Sequence, residues 1–205
     1  MKKIVLVLFL LAGFAAAGRA QESRQDVSLS GIGLIPPFIA SSTDVQVHSN
    51  AALGVLASYR FMLTPNSAIE ANYGITYQNQ YTYLISNSLR VPIQTRTMEI
   101  SGAFVRSFTF KKFNPFLEAG PTALIFIPIR NLGTDVDAKQ QTGIGVLYGG
   151  GVAYEISPSF DIRAEYRAYV TKVPTFGLGS NSTENLTTNK WFNIYVPTVG
   201  VAYHF

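Results

Sequence analysis

W-F-N-I-Y-V-P-T-V-G-V-A-Y-H-F, Trp191 to Phe205, is the stretch that decides the fold. Counting back in twos from Phe205 gives Tyr203, Val201, Val199, Pro197 and Tyr195. The other parity gives His204, Ala202, Gly200 and Thr198. One face is apolar and aromatic, the other small or polar. That alternation fits a barrel wall with lipid outside and side chains filling the interior. The last strand of a soluble sandwich, half buried, has the same period, so the rest of the chain must separate the two.

The opposite end shows that the chain is exported. Lys2 and Lys3 precede an unbroken apolar run from Ile4 to Ala17, and Gly18-Arg19-Ala20 closes it with a small-x-small pattern. These are the parts of a secretory signal peptide, cut after Ala20, so the mature chain is expected to start at Gln21. The run is too short to cross a bilayer as a helix, and no other apolar run approaches the roughly 18 residues required. Of the 16 Lys and Arg, Lys2, Lys3 and Arg19 leave with the signal, so the mature chain is nearly neutral against 12 Asp and Glu. A nucleic-acid partner would need a clustered basic patch, and there is none. With no cysteine, disulfides and thiolate metal sites are excluded. No motif points to a cofactor.

Eight segments of the mature chain alternate with period two, close to the ~9–11 residues a tilted strand needs to cross a bilayer. They run Asp26 to Ile35, Ala51 to Met62, Ala68 to Tyr81, Thr95 to Phe108, Pro115 to Ile127, Ile144 to Ile156, Phe160 to Val170 and Trp191 to Phe205. In the third, Ile69, Ala71, Tyr73, Ile75 and Tyr77 oppose Glu70, Asn72, Gly74, Thr76, Gln78 and Gln80. Helices would repeat their apolar residues at three and four instead. Pro121 and Pro197 each cost a ladder bond and are expected at bulges.

The connections alternate in length. Leu63 to Ser67, Thr109 to Asn114 and Ser157 to Ser159 are short turns set by Pro and Asn. Pro36 to Asn50, Thr82 to Gln94, Pro128 to Gly143 and Lys172 to Lys190 are long and rich in Ser, Thr, Asn and Gly. This order predicts an all-β, eight-stranded antiparallel up-and-down transmembrane β-barrel, with short turns toward the periplasm and four loops outward. A soluble barrel would put the apolar parity inward and leave Gly74, Gly120, Gly149, Gly151 and Gly200 on its surface, where glycine only weakens a strand. With the apolar parity outward, the same glycines clear a narrow interior.

The signal peptide, N-P-F-L-E-A-G (Asn114 to Gly120), F-D-I-R-A-E-Y-R (Phe160 to Arg167) and the terminal V-G-V-A-Y-H-F (Val199 to Phe205) together resemble the small bacterial outer-membrane barrels of the OmpA/OmpX and opacity-protein type. More closely, the chain from Gln21 to Phe205 is similar to the generic outer-membrane β-barrel domain. The resemblance implies a monomer in outer-membrane lipid and a C-terminal strand, with Tyr203 and Phe205, that is read by the barrel-assembly machinery. It does not imply one activity, because members include adhesins, structural anchors, small-solute channels and a few lipid-modifying enzymes.

The inward parity holds Arg60, Glu70, Glu99, Glu118, Glu155, Arg163, Glu165, Arg167 and His204. Buried charges must be paired or hydrated, so these are expected to form an interior network in which Arg163 and Arg167 pair with Glu118, Glu155 or Glu165. Outward aromatics are expected in two girdles. Tyr59, Phe61, Phe108, Phe116, Phe160, Tyr203 and Phe205 would lie near the turns, and Tyr77, Tyr81, Phe126, Tyr169, Trp191 and Tyr195 near the loops. Arg106 shares the lipid-facing parity and must snorkel. Catalysis lacks a constellation: His48 falls in the first long loop, and Ala202 rather than Ser stands two residues from His204. Two histidines without a carboxylate cluster make no metal site. Gly149-Gly150-Gly151 lies in a strand with no helix after it, which excludes a phosphate loop. The chain is therefore expected to be a surface scaffold presenting loops to a ligand, or alternatively a narrow gated channel.

Overall fold

All eight period-two segments form strands in the computed structural model, which describes residues 24–40, 45–85, 89–129, 137–178 and 186–205. The expected export segment 1–20 and its cleavage site lie outside them. The strands are β1 (Gln25–Leu34), β2 (Ile39–Ala40), β3 (Val45–Ser49), β4 (Ala52–Thr64), β5 (Ser67–Ile85), β6 (Leu89–Ser107), β7 (Phe113–Pro128), β8 (Gln141–Ser157), β9 (Phe160–Lys172) and β10 (Trp191–His204). Every pairing is antiparallel, and the order β5-β4-β1-β10-β9-β8-β7-β6 closes through β5–β6. Eight staves therefore form a closed all-β barrel.

Its stagger follows from the register. Partners around the wall run Gln25, Phe61, Ile69, Phe104, Ala119, Tyr148, Ala168, Tyr195 and Ile35. The circuit leaves β1 at Gln25 and returns at Ile35, so the shear exceeds the strand number and the strands tilt by roughly 40°. No helix of the described residues is long and apolar enough to cross a membrane; the strands do the crossing.

β2 and β3 are extensions rather than extra staves. Ser49 faces Tyr81 and Gly54 faces Thr76 in one register, so β3 prolongs β4 across a break at Asn50. Asn50 is tied there by its amide to the Gln80 carbonyl, 3.2 Å. β2 prolongs β1 past Pro36 and Pro37 and pairs with β3. The long loop expected from Thr82 to Gln94 is instead the tall β5–β6 hairpin, and His48 sits in a strand. On this extension the outward side chains are mostly polar (Gln80, Thr82, Arg90, Gln94) and the inward ones apolar (Tyr83, Val91, Ile93). That is the distribution required once the wall stands in water.

A bulge sets the change. The β5–β6 register shifts between Thr76 and Asn79, and Gln78 takes a positive φ of 58°. One extra residue turns every later side chain to the other face. Asn79, Tyr81 and Tyr83 therefore point inward, whereas strict alternation had Gln78 and Gln80 inside and Tyr81 outside. The prolines behave differently from expectation. Pairs on both sides of Pro121 keep one register, as do those around Pro197. Each proline interrupts a ladder without slipping it.

Outward positions through the middle of the wall carry bare hydrocarbon: Leu53 is 80% exposed, Ile144 75% and Leu29 66%. A continuous surface of this kind is tolerable only against lipid. Inward, the small-or-polar expectation holds only in the half nearest the short turns. In the other half Ile32, Leu34, Leu56, Leu124, Leu147, Ile194 and Val196 fill the barrel.

Candidate functional site

The inward face of the turn-side half is a ladder of charge. Arg60 and Glu70 are cross-strand partners on β4 and β5, and Nε and Nη2 of Arg60 lie 2.7 and 2.6 Å from Glu70 Oε2. The Arg60 guanidinium also lies 4.8 Å from the ring centre of Phe116, a cation–π contact. Phe116 is thus an interior residue, not part of a girdle. Arg163 reaches across β10 to Asp26 on β1 and donates both Nη groups to its carboxylate, at 2.9 and 2.8 Å. Its partner is therefore Asp26, not Glu118, Glu155 or Glu165. The pair spans the closure of the sheet: Arg163 faces Gly200 on β10, and Gly200 faces Ser30 on β1.

Arg167 sits deeper and holds two carboxylates. Its Nη2 is 3.2 Å from Glu99 Oε1 and its Nε 3.0 Å from Glu118 Oε1. Glu99 also accepts hydrogen bonds from Ser101 Oγ, 2.7 Å, and from the Tyr169 hydroxyl. Glu118, Gly149 and Arg167 share one register row. A Cβ at Gly149 would stand 3.1 Å from Glu118 Oε1, and one at Gly151 2.8 Å from Phe116 Cζ and 2.9 Å from Glu165 Cγ. Gly149 and Gly151 therefore make room for the charged side chains of both flanking strands. Glu155 and Glu165 take no part in these ion pairs.

At the turn-side mouth, Nε2 of His204 lies 2.8 Å from Asp161 Oδ2, and Nδ1 lies 3.8 Å from Asp26 Oδ2. His204 and Asp161 line an open cavity of about 390 Å³ together with Lys111, Glu155 and Arg163. Asp26 and Asp161 were absent from the network read in the sequence, and so was Tyr169. Asp161 and Tyr169 share parity with Arg163 and Arg167 on β9, and Asp26 stands on the polar parity of β1 with Ser28 and Ser30, so alternation alone could have found them. Among the described residues no cluster of three His, Asp or Glu is arranged to hold a metal ion. His48 packs against Phe38 with ring centres 4.5 Å apart and planes tilted by 44°.

Toward the long loops the interior is closed by rings. Tyr81, Phe126 and Phe176 are fully buried, with centres 5.9 Å (Tyr81–Phe126), 6.0 Å (Tyr81–Phe176) and 6.4 Å (Phe126–Phe176) apart. Tyr81, Phe126 and Tyr169 thus belong to the inside, leaving Tyr77, Trp191 and Tyr195 of the expected loop-side girdle facing out. Phe176 comes from the segment after β9, which folds back into the barrel. It takes a positive φ of 51°. Gln141 Oε1 holds the turn by accepting from the amides of Thr175, 2.7 Å, and Phe176, 2.8 Å. The Tyr83 hydroxyl donates to the Pro174 carbonyl. Leu186 is buried beside them, and its amide donates to the Leu178 carbonyl at 2.9 Å.

The family model for the outer membrane protein beta-barrel domain matches residues 5–205. The chain belongs to that family. No curated protein matches it, but solved barrels share its fold. Neisserial surface protein A is 16% identical, with 89% of this chain and 98% of that one covered at a TM-score of 0.56. OprG of Pseudomonas aeruginosa is 11% identical, with 90% and 97% covered at 0.61. Ail of Yersinia pestis, solved in complex with the heparin analogue sucrose octasulfate, is 12% identical, with 90% and 100% covered at 0.53. At these identities the likeness carries the fold, a small closed barrel, and the family places it in the bacterial outer membrane.

Proposed function

We propose that this outer-membrane barrel is a closed, non-catalytic and monomeric scaffold whose work is done by its outward loops. One observation supports this above others: Phe176 is seated among Tyr81, Tyr83 and Phe126, above a layer of buried aliphatics that fills the barrel from wall to wall. An eight-stranded barrel is only wide enough for its own side chains, and apolar packing at this density excludes water. The turn-side charges then act as a register-fixing network open only to the periplasm. A gated channel would require Phe176 and Leu186 to leave together. Ail, a barrel of the same fold, carries a bound sulfated sugar, so ligand binding without a wide pore suits this architecture.

The test is solute entry into liposomes holding the refolded mature chain. Intact protein is expected to admit no small sugar; entry that changes with Glu118→Ala would support the channel instead. Loop function is separable. Leu178 and Leu186 are hydrogen bonded, so residues 179–185 can be replaced by a two-residue turn while Phe176 stays seated. We also assign Tyr203 and Phe205 to the assembly signal. Their rings lie 6.1 Å apart and the Phe205 amide donates to the Gln25 carbonyl at 3.0 Å, which places both at the closing seam. Phe205→Ala is expected to lower the yield of inserted barrel in cells; unchanged yield would remove the assignment.

A further inference from the structure

The cavity at the turn-side mouth, about 390 Å³, falls in the size range of small-molecule sites, and its charges are only partly matched. Arg60 and Arg163 lie deepest in its lining, and each is already paired, with Glu70 and with Asp26. The more exposed charged groups are Lys111, Glu155, Asp161 and His204. Of these, Asp161 and His204 hold each other at 2.8 Å. Lys111 and Glu155 enter no ion pair among the described residues, although their backbones are joined: the Glu155 amide donates to the Lys112 carbonyl at 3.0 Å. Asn114 adds a side-chain carbonyl oxygen with no hydrogen-bond partner.

Two features of this mouth work against the stability of the wall. Glu155 and Asp161 are cross-strand partners on β8 and β9. Like charges directly opposite each other destabilise a sheet, and His204 reaches Asp161 and Asp26 but not Glu155. Lys111 has a φ of 55°, a left-handed backbone that lysine seldom adopts. Reciprocal bonds between Phe110 and Phe113, at 2.9 and 3.0 Å, hold it there. Backbone strain of this kind gathers at ligand clamps, and here it sets a cation on the same small cavity as an acid without a counter-charge.

The mixture of signs decides the class of ligand. A plain anion would meet Glu155 and Asp161. A plain cation would meet Lys111, with two guanidinium groups behind it. A molecule carrying both an ammonium and a carboxylate finds a counter-charge for each, and its middle can lie on Phe116 and Met62, which line the same cavity. We propose that the turn-side cavity binds a short peptide with free ends. Its ammonium lies at Glu155 and Asp161, with Asn114 Oδ1 accepting from it, and its carboxylate lies at Lys111. The inference is independent of what the outward loops bind.

The test uses the mature chain refolded in octyl glucoside, which leaves both ends of the barrel open to solute and carries no charge. The probe is alanylalanine. The readouts are the heat of binding and the temperature at which the folded gel band is lost. Alanylalanine is expected to bind saturably and to raise that temperature, whereas the same dipeptide acetylated and amidated at its ends should do neither. Glu155→Gln and Lys111→Gln are each expected to weaken binding about tenfold, the loss of one charged hydrogen bond, and Lys112→Gln to leave it unchanged. The double exchange Glu155→Lys with Lys111→Glu should recover binding, because it offers the same two charges in reverse. The folded band identifies any variant that does not fold, and the capped dipeptide then tests the proposal on the unaltered chain. Absence of a saturable response would overturn the proposal. So would an equal response to the capped dipeptide or to free alanine, or unchanged binding in both Glu155→Gln and Lys111→Gln.

Discussion

Asp26, Arg60, Glu70 and Arg163 occupy inward positions near the turns; Leu34, Leu124, Phe126 and Ile194 occupy inward positions near the loops. The wall, the parity and the narrowness are the same. The turn-side half buries ions that must find partners across strands, and its mouth opens on a cavity lined by Asp161 and His204. The loop-side half is packed like the core of a soluble domain, though lipid surrounds its lower part. Ion pairs fix register through direction, since Arg163 meets Asp26 by two parallel bonds. Hydrocarbon seals through volume and has no direction. The difference teaches that a barrel of this width can divide the two tasks along its axis.

The largest expected effect breaks the ionic half. Arg167→Ala leaves Glu99 and Glu118 buried without their cation and should cost about 3–5 kcal/mol, read as the urea midpoint of the folded gel band. Adding Glu99→Gln and Glu118→Gln should return much of it. If the single variant were neutral, the network would not be holding the barrel. Phe176→Ala removes a ring from the apolar half and should cost about 3 kcal/mol. Its signature is regional: amide exchange should quicken in the loop-side parts of β5 and β7 while the β4–β5 turn end keeps its protection. Uniform quickening would mean that the halves are one cooperative unit. Gly151→Ala should cost about 2 kcal/mol, because the new methyl would stand 2.5 Å from the Ala164 carbonyl oxygen as well as against Phe116 and Glu165. Glu165→Ala in the same chain should recover little, since the backbone contact remains.

Much of this division could be read from alternation alone, and the failures are physical. Period two placed Arg60, Glu118, Arg163 and Arg167 inside and Leu53, Ile69 and Val199 outside. It misassigned Tyr81 because a single residue at Gln78 reversed the parity, and nothing in Q-N-Q announces a left-handed backbone. The girdle pattern fails for Phe126 and Tyr169, because an aromatic residue near a strand end reads as interfacial although each shares the parity of an interior charge, Glu118 and Arg167. The Asp26–Arg163 pair joins residues 137 positions apart and depends on how β1 meets β10. Such a partner follows from the stagger of a closed sheet, which no local pattern contains. The plug was hidden for another reason: Phe176 lies in a stretch whose Gly, Ser and Asn content reads as an open loop, and its burial depends on the cavity that β5 and β6 build above the membrane.

The most direct test of a sealed outer half uses the absence of cysteine. Single-cysteine variants Ser107→Cys, at the turn-side mouth, and Leu124→Cys, in the apolar layer, would be treated with a small charged thiol reagent from each side of the membrane. Cys at 107 should react from the periplasmic side and Cys at 124 from neither. Modification of Cys at 124 by reagent added from the loop side would show a water path through the rings and contradict the closed barrel.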